Sequence, residues 1–361
     1  MAAEIPTTMT FGGHTFPAGT FKELQDAFVA HIEMPHGCGP LSPDMDPEAP
    51  SKALAALWLR GAFHDVGKFD PLFKTPVAGL LPFFLNETEN TGIGDSIATR
   101  FAPQAKFPYS TADYIALAAQ VTLAHCGGLS FEFLQGRKDA PETTTFSSLQ
   151  NPLPDDNLDS YQTIKSKLRN LGFTYQDIVV LVTGSHSVGG VHKAISPHAT
   201  TKEFEAFDST PGIFDNDVFK QSLKGNCRLN IDCGIALDPE LRPLVQLYAN
   251  DEAAFFKQYQ ESFQKMTTLG QDRSKLTAFP LEVSLHKNLF AEEGVVAPSP
   301  GQGVVTGDRP SVTATATNAI KDSSAPATGI KGTSAVSTVT RSSAQMAMIG
   351  ISFVFVTMLT L

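Results

Sequence analysis

Leu57-Trp58-Leu59-Arg60-Gly61-Ala62-Phe63-His64-Asp65 is the stretch on which the reading of this chain turns. Arg60 and His64 stand four apart, so on a helix they lie one above the other on one face, while Asp65 points elsewhere. Leu54, Leu57, Trp58 and Leu59 make the same helix apolar. A guanidinium and an imidazole on such a helix are costly to bury without partners. Taken alone, the segment also fits a surface helix with incidental charges.

A second segment narrows the choice. Residues 175–192 read Tyr-Gln-Asp-Ile-Val-Val-Leu-Val-Thr-Gly-Ser-His-Ser-Val-Gly-Gly-Val-His. Ile178, Val179, Leu181 and Val182 form an apolar stripe that fits either a helix or a buried strand, because the β-branched run blurs the period. Thr183, Gly184, Ser185, Ser187 and Gly189 surround His186, and small neighbours let a flat, bulky ligand approach the backbone. The plain alternative is a core histidine bonded to a carbonyl.

Periodicity elsewhere gives helices rather than strands. They are expected over 51–65, over Thr111 to Leu123 with a Ser/Thr cap and Asp113 at its start, and over Asp159 to Leu171 with Gly172 at C′. Leu241–Ala249 and Glu252–Met266 read as two more. No hairpin signal of the Asn-Gly kind is evident, and the expected fold class is all-α. A hydrophobic share of 42% over 361 residues is enough for a globular core of one large or two modest domains. The net charge of −10, with no basic run, argues against a nucleic-acid partner. None of the four cysteines, Cys38, Cys126, Cys227 and Cys233, forms a CxxC pair, so a structural zinc site is not expected.

Composition changes toward the C-terminus. Residues 1–295 carry the folded domain; residues 296–345, rich in Ser, Thr, Ala, Gly and Pro, cannot bury a core and read as a disordered stalk. Residues 346–361 are apolar but short of the roughly 20 residues a membrane span needs. Small residues, a polar spacer and an apolar end fit a GPI-attachment signal, with Gly332, Ser334 or Ala335 as acceptor; a plain C-terminal anchor is the alternative. Such a signal requires a leader, and Met1-Ala2-Ala3-Glu4-Ile5-Pro6 is not followed by an apolar stretch, so a leader is expected upstream. The stalk, the cysteines and the sequon Asn86-Glu87-Thr88 suit a secreted glycoprotein tethered at the cell surface.

Four motifs now stand in order. They are Arg60-Gly61-Ala62-Phe63-His64; Gly184-Ser185-His186-Ser187-Val188-Gly189; Phe207-Asp208-Ser209-Thr210-Pro211-Gly212-Ile213-Phe214-Asp215; and Arg228-Leu229-Asn230-Ile231-Asp232 followed by Leu237-Asp238-Pro239. Together, over about residues 20–290, they resemble the plant, fungal and bacterial haem peroxidase superfamily. The 207–215 run is most like the secreted fungal class II enzymes. Tyr248-Ala249-Asn250-Asp251 and Phe255-Phe256-Lys257 look more like the intracellular class I, notably cytochrome c peroxidase.

The resemblance implies a mainly helical fold holding haem b between two halves. His186 would be the axial iron ligand, with Asp232 as its acceptor, Phe207 in the same pocket and His192 at a haem propionate. On the opposite side His64 would act as general base and then acid toward hydrogen peroxide, Arg60 would stabilise developing charge, and Phe63 would stack above the haem. It further implies a proximal calcium site of Ser187, Asp208, Thr210, the Ile213 carbonyl and Asp215. A distal calcium site would use Asp65, Gly92, Asp95 and Ser96, with glycine where the family has aspartate. A Cys38–Cys126 disulfide is implied likewise, and a short Cys227–Cys233 bridge is expected beside it.

The chain also departs from the family. The asparagine that orients the distal histidine has no counterpart between residues 97 and 112, and Asn86 and Asn90 do not align with it. His64 is therefore expected to be oriented by water, a carbonyl or another group that the family pattern does not name, with slower peroxide cleavage. Positions of a manganese site carry Leu57, Ala53 and His192, the surface tryptophan of lignin-type enzymes falls on Leu181, and Trp58 reads as core. What remains is a monomeric donor:hydrogen-peroxide oxidoreductase that uses hydrogen peroxide and a small, phenol-like reductant, with the membrane as a partner through its tail. One rival is a surface haem-binding or adhesion protein with little catalysis. The other is a non-haem metal site built from His186, His192 and His198, which recur at intervals of six.

Overall fold

The computed structural model describes residues 8–11, 14–17, 19–33, 37–39, 53–69, 76–94, 109–140 and 153–286. The chain divides into two units, 1–302 and 303–361. The stalk, the apolar tail and the acceptor candidates lie outside the described residues. Among the described residues, no helix is long and apolar enough to cross a membrane.

The fold is mainly helical, as expected. The first helices are α1 (Gly19–Glu33), α2 (Leu54–Asp65) and α3 (Thr111–Gly127). Ser110 caps α3 by accepting from the Asp113 N–H at 3.0 Å, and Gly128, at φ 74°, ends it in a left-handed turn. Every residue from Ala112 to Cys126 is buried. A helix apolar nearly all round belongs at the centre of a fold, and α1 and α2 both pack against α3. Trp58 sits in this contact, edge-on to Phe28 at 5.1 Å, so its core role holds. Asp113, read as a helix-opening acid, does more: its carboxylate pairs with buried Arg137 at 2.8 Å and accepts from the Gly136 N–H at 2.8 Å.

The second half contains α4 (Tyr161–Asn170), α5 (Tyr175–Ile178), α6 (Asp217–Leu223), α7 (Asn230–Leu237), α8 (Arg242–Asn250) and α9 (Glu252–Met266). Gly172 follows α4 at φ 88° and donates to the Arg169 carbonyl, the expected C′ role. Phe214, Phe219, Tyr248, Phe255 and Tyr259 form its aromatic core.

Strands are few and short. β1 (Thr8–Phe11) pairs with β2 (His14–Pro17), β3 (Phe133–Gln135) with β6 (Thr277–Phe279), and β4 (Gly190–His192) with β5 (Phe204–Ala206), all antiparallel. The β1–β2 hairpin corrects the expectation of none. The two residues between its strands, Gly12 and Gly13, have the sequence a tight primed turn accepts as readily as Asn-Gly. Both disulfides are formed, Cys38–Cys126 and Cys227–Cys233.

Candidate active site

Helix α2 is buried on one side by Leu54, Ala55, Trp58, Leu59 and Ala62. Its half-exposed stripe is Ala56, Arg60, Phe63 and His64. The His64 imidazole has both nitrogens engaged. Nδ1 lies 2.7 Å from Asn90 Oδ1, and the Asn90 amide in turn donates to the Phe84 carbonyl at 2.8 Å. Because that donation fixes the amide's orientation, Oδ1 can only accept, and His64 Nδ1 must carry the proton. Nε2 is then the bare nitrogen, and it accepts from Arg60 Nε at 3.3 Å.

Asn90 is that other group: it, and not water or a carbonyl, orients His64. The amide arrives from the short 3₁₀ turn Thr88–Asn90, upstream of where the family spacing places it. The same turn holds Arg60, whose guanidinium donates to the Glu89 carbonyl at 2.8 Å and the Thr91 carbonyl at 2.9 Å. Burial, with the nearby Arg60 charge adding to it, pushes His64 down to about 3, against the opposing pull of the Asn90 bond. Burial also lowers Arg60, to about 10, so the pair at neutral pH is a neutral imidazole beside a guanidinium.

His186 is delivered by an irregular helix. After α5 the chain makes a π-helical turn, Val179–Thr183, and then a 3₁₀ turn, Gly184–Ser187. A π turn inserts an extra residue and re-aims the side chains beyond it, which resolves the ambiguous apolar stripe as helix. His186 Nδ1 lies 2.9 Å from Asp232 Oδ2, and Asp232 Oδ1 accepts from the Thr183 hydroxyl at 2.8 Å. The carboxylate can only accept, so Nδ1 carries a proton and Nε2 is the nitrogen turned away from Asp232. Burial alone would lower His186, but the Asp232 carboxylate outweighs it and the pKa is raised. Phe207 stacks on the His186 ring at 4.4 Å and 19°, brought there by the β4–β5 pairing.

The two sides meet near Gly189, where a Cβ would lie 2.8 Å from the Ala56 methyl. Arg60 and His64 follow Ala56 on the same face of α2. The His186 side chain retains 24% of its exposure while Asp232 retains 2%. The ring is thus partly open while its acceptor is closed off. An oriented imidazole, a stacking phenyl and a second oriented imidazole form a donor set that fits an iron porphyrin.

Other assigned residues divide. His192 ends β4 beside Phe204, ring centroids 5.2 Å apart, and His198 lies 3.5 Å from Asp156. Neither converges with His186: among the described residues, the group close enough to hold a metal is Cys38, His125 and His286, so the non-haem rival loses its geometry. In the loop after β5, Thr210 Oγ1 donates to Asp215 at 2.9 Å, and the Thr210 N–H donates to Asp208 at 2.9 Å. Ser187 Oγ and Asp208 Oδ2 are buried there with no partner. Burial, with the charges of Asp215 and Asp217 adding to it, pushes Asp208 up to about 8, and Asp215 is raised to about 6. Ile213 N–H closes the turn on the Thr210 carbonyl at 2.8 Å.

Asp65 has a different role from the one expected. Its two oxygens accept from the Gly79 and Leu81 N–H groups at 3.1 and 2.9 Å, facing donors rather than a cation. Gly92, at φ 84°, has no room for a Cβ, which would meet Ile195. Asp95 and Ser96 lie outside the described residues.

A family model described as peroxidase matches residues 45–251. The chain is 35% identical over 229 residues to L-ascorbate peroxidase 5, peroxisomal, of Arabidopsis thaliana, covering 61% of this chain and 77% of that one. It is 34% identical over 230 residues to L-ascorbate peroxidase 1, cytosolic, of Oryza sativa subsp. japonica, covering 61% and 87%. These relatives are class I enzymes, so the class II likeness rests on the 207–215 motif alone. The family match and the two relatives agree: this chain belongs to the haem peroxidase superfamily and is a peroxidase.

Proposed function

We propose that the chain reduces hydrogen peroxide at a haem b held by His186, with electrons drawn singly from a small organic donor. One observation carries this reading: two histidines each have Nδ1 tied to an acceptor, at 2.7 and 2.9 Å, which fixes both rings with Nε2 turned away from that acceptor. When bound, haem iron supplies the site where peroxide binds and the oxidising equivalents are stored. His64 Nε2 takes the proton from one peroxide oxygen and returns it to the other, so the O–O bond breaks with water leaving. Arg60, fixed from behind by the carbonyls of Glu89 and Thr91, stabilises the charge that develops. Asp232 polarises His186 and keeps its ring oriented.

The relatives' names make ascorbate the leading donor. A phenol-like donor is the second reading. It is what remains once the manganese positions are found to carry Leu57, Ala53 and His192 and the surface-tryptophan position Leu181. Steady-state turnover with ascorbate and with a simple phenol decides; ascorbate is expected to give the higher kcat/KM, and a reversed ranking assigns the phenol. A haem binder with little catalysis would suit a distal histidine without a support, and Asn90 supplies that support.

Calcium is the cation we assign to Ser187, Asp208, Thr210, Ile213 and Asp215, since two buried oxygens there are unpartnered and two carboxyls are raised. Residues 296–361 are read as a stalk and GPI signal that tether the enzyme at the cell surface, and Asn86, exposed in its sequon, is read as glycosylated. Release of the native protein from cells by a phosphatidylinositol-specific phospholipase is the expected result. Retention after that treatment argues for a plain anchor.

A further inference from the structure

Beyond the C-terminal end of α3 lies a cluster that peroxide chemistry does not use. Glu33, the last residue of α1, places Oε1 2.8 Å from His125 Nε2 and 2.7 Å from His286 Nδ1. The two rings lie 5.5 Å apart, and the His286 N–H donates to the His125 carbonyl at 2.9 Å. His125 Nδ1 meets the Ser284 carbonyl at 2.5 Å. Cys38 Sγ stands with the two histidines, the ligand atoms all within 4.8 Å of one another, and that sulfur is bonded to Cys126.

A carbonyl only accepts, so His125 Nδ1 holds a proton, and Nε2 is left facing a carboxylate oxygen that also only accepts. Two acceptors 2.8 Å apart repel unless a proton or a cation lies between them. A backbone carbonyl on Nδ1–H with the other nitrogen turned to a carboxylate and a second imidazole is how zinc-type histidines are held. His125 is buried, with 2% of its side chain exposed, and Glu33, 42% exposed, closes the cluster on its solvent side. The disulfide blocks the set, since the thiolate is the metal ligand and a disulfide sulfur is not one.

We propose that Glu33, His125, His286 and Cys38 form a zinc-class metal site that is complete only when the Cys38–Cys126 disulfide is reduced. A dithiol reductant supplies two electrons and two protons: the dithiol closes to its own disulfide, the Cys38–Cys126 bond breaks, and two thiols form. The Cys38 thiol releases its proton to solvent as the sulfur binds the metal, while Cys126 remains a thiol. One sulfur and two nitrogens then give three ligands for a borderline-soft dication, and Glu33, in contact with both imidazoles, is the carboxylate at hand for a fourth. Its residues come from positions 33, 38, 125 and 286, which is why no short ligand spacing announces it.

The test uses the full-length, haem-loaded protein dialysed to equilibrium against buffered free zinc, with zinc and iron counted by elemental analysis. Cys126→Ser, which leaves Cys38 as a free thiol, is expected to bind one zinc per haem roughly 100-fold more tightly than the oxidised wild type. Adding His286→Ala should abolish that gain. Zinc X-ray absorption of Cys126→Ser should show a sulfur neighbour at about 2.3 Å. Equal affinity in Cys126→Ser and wild type, insensitivity to His286→Ala, or a zinc shell without sulfur would each overturn the proposal. Should Cys126→Ser fail to fold, wild-type protein reduced with a phosphine is measured in the same way, with the same outcomes.

Discussion

The two sides of the cleft hold the same side chain for opposite uses. On the α2 side, His64 Nδ1 rests on the Asn90 amide and Nε2 faces a guanidinium, itself held by the backbone carbonyls of Glu89 and Thr91. On the other side, His186 rests on a buried carboxylate. An amide leaves the first imidazole uncharged and able to take a proton. A carboxylate gives the second more electron density for a metal. On the function proposed above, the acceptor behind each ring, amide or carboxylate, is what separates the base from the ligand.

That contrast breaks most sharply at its working end. His64→Leu should lower kcat/KM for peroxide by about 10²–10⁴, the range of general acid–base contributions, with haem binding unchanged in a haemin titration. Asn90→Val removes only the support, and should cost on the order of 10–100-fold in the same parameter as the ring loses its tautomer. Asp232→Asn gives the ligand side the neutral partner that the base side has. The haem midpoint potential should then rise and peroxide turnover fall by roughly tenfold, measured by redox titration and steady-state kinetics.

The remaining predictions concern charge. Asp208 and Asp215 are raised when folded, so the folded chain binds more protons than the unfolded one between their ordinary range and about 8. By linkage, stability without a counter-ion falls as pH rises through that window. Chelating the cation should lower Tm more at pH 8 than at pH 5, by an extra amount on the order of 5 °C. The smallest effect lies in the pH profile. With His64 depressed to about 3, its neutral form persists well below the usual histidine range. The acid limb of kcat/KM for peroxide should therefore fall below pH 5, and a limb near 6.5 would put His64 in an ordinary environment.

Much of this cleft was legible from residue types. Arg60, His64, His186 and Asp232 stood in recognisable runs, and caps such as Ser110 and Gly172 marked helix ends where the structure puts them. The distal support was not legible, because two of its three groups are main-chain carbonyls, of Glu89 and Thr91, which carry no side-chain signature. Asn90 lies upstream of the place to which family spacing points, so it did not align with the expected asparagine. Nor could the π turn be read, since Val179, Val180 and Val182 suit strand and helix alike. Asp65 erred in the other direction: its position matched a cation ligand, yet Gly79 and Leu81, far along the chain, occupy it with their N–H groups.

The most direct test of the account is a haemin titration of the folded, full-length chain. A Soret band saturating at one equivalent, and lost or strongly weakened in His186→Ala, is the predicted result. Folded protein that remains colourless, or a His186→Ala variant that binds haem with an unchanged spectrum, would contradict it.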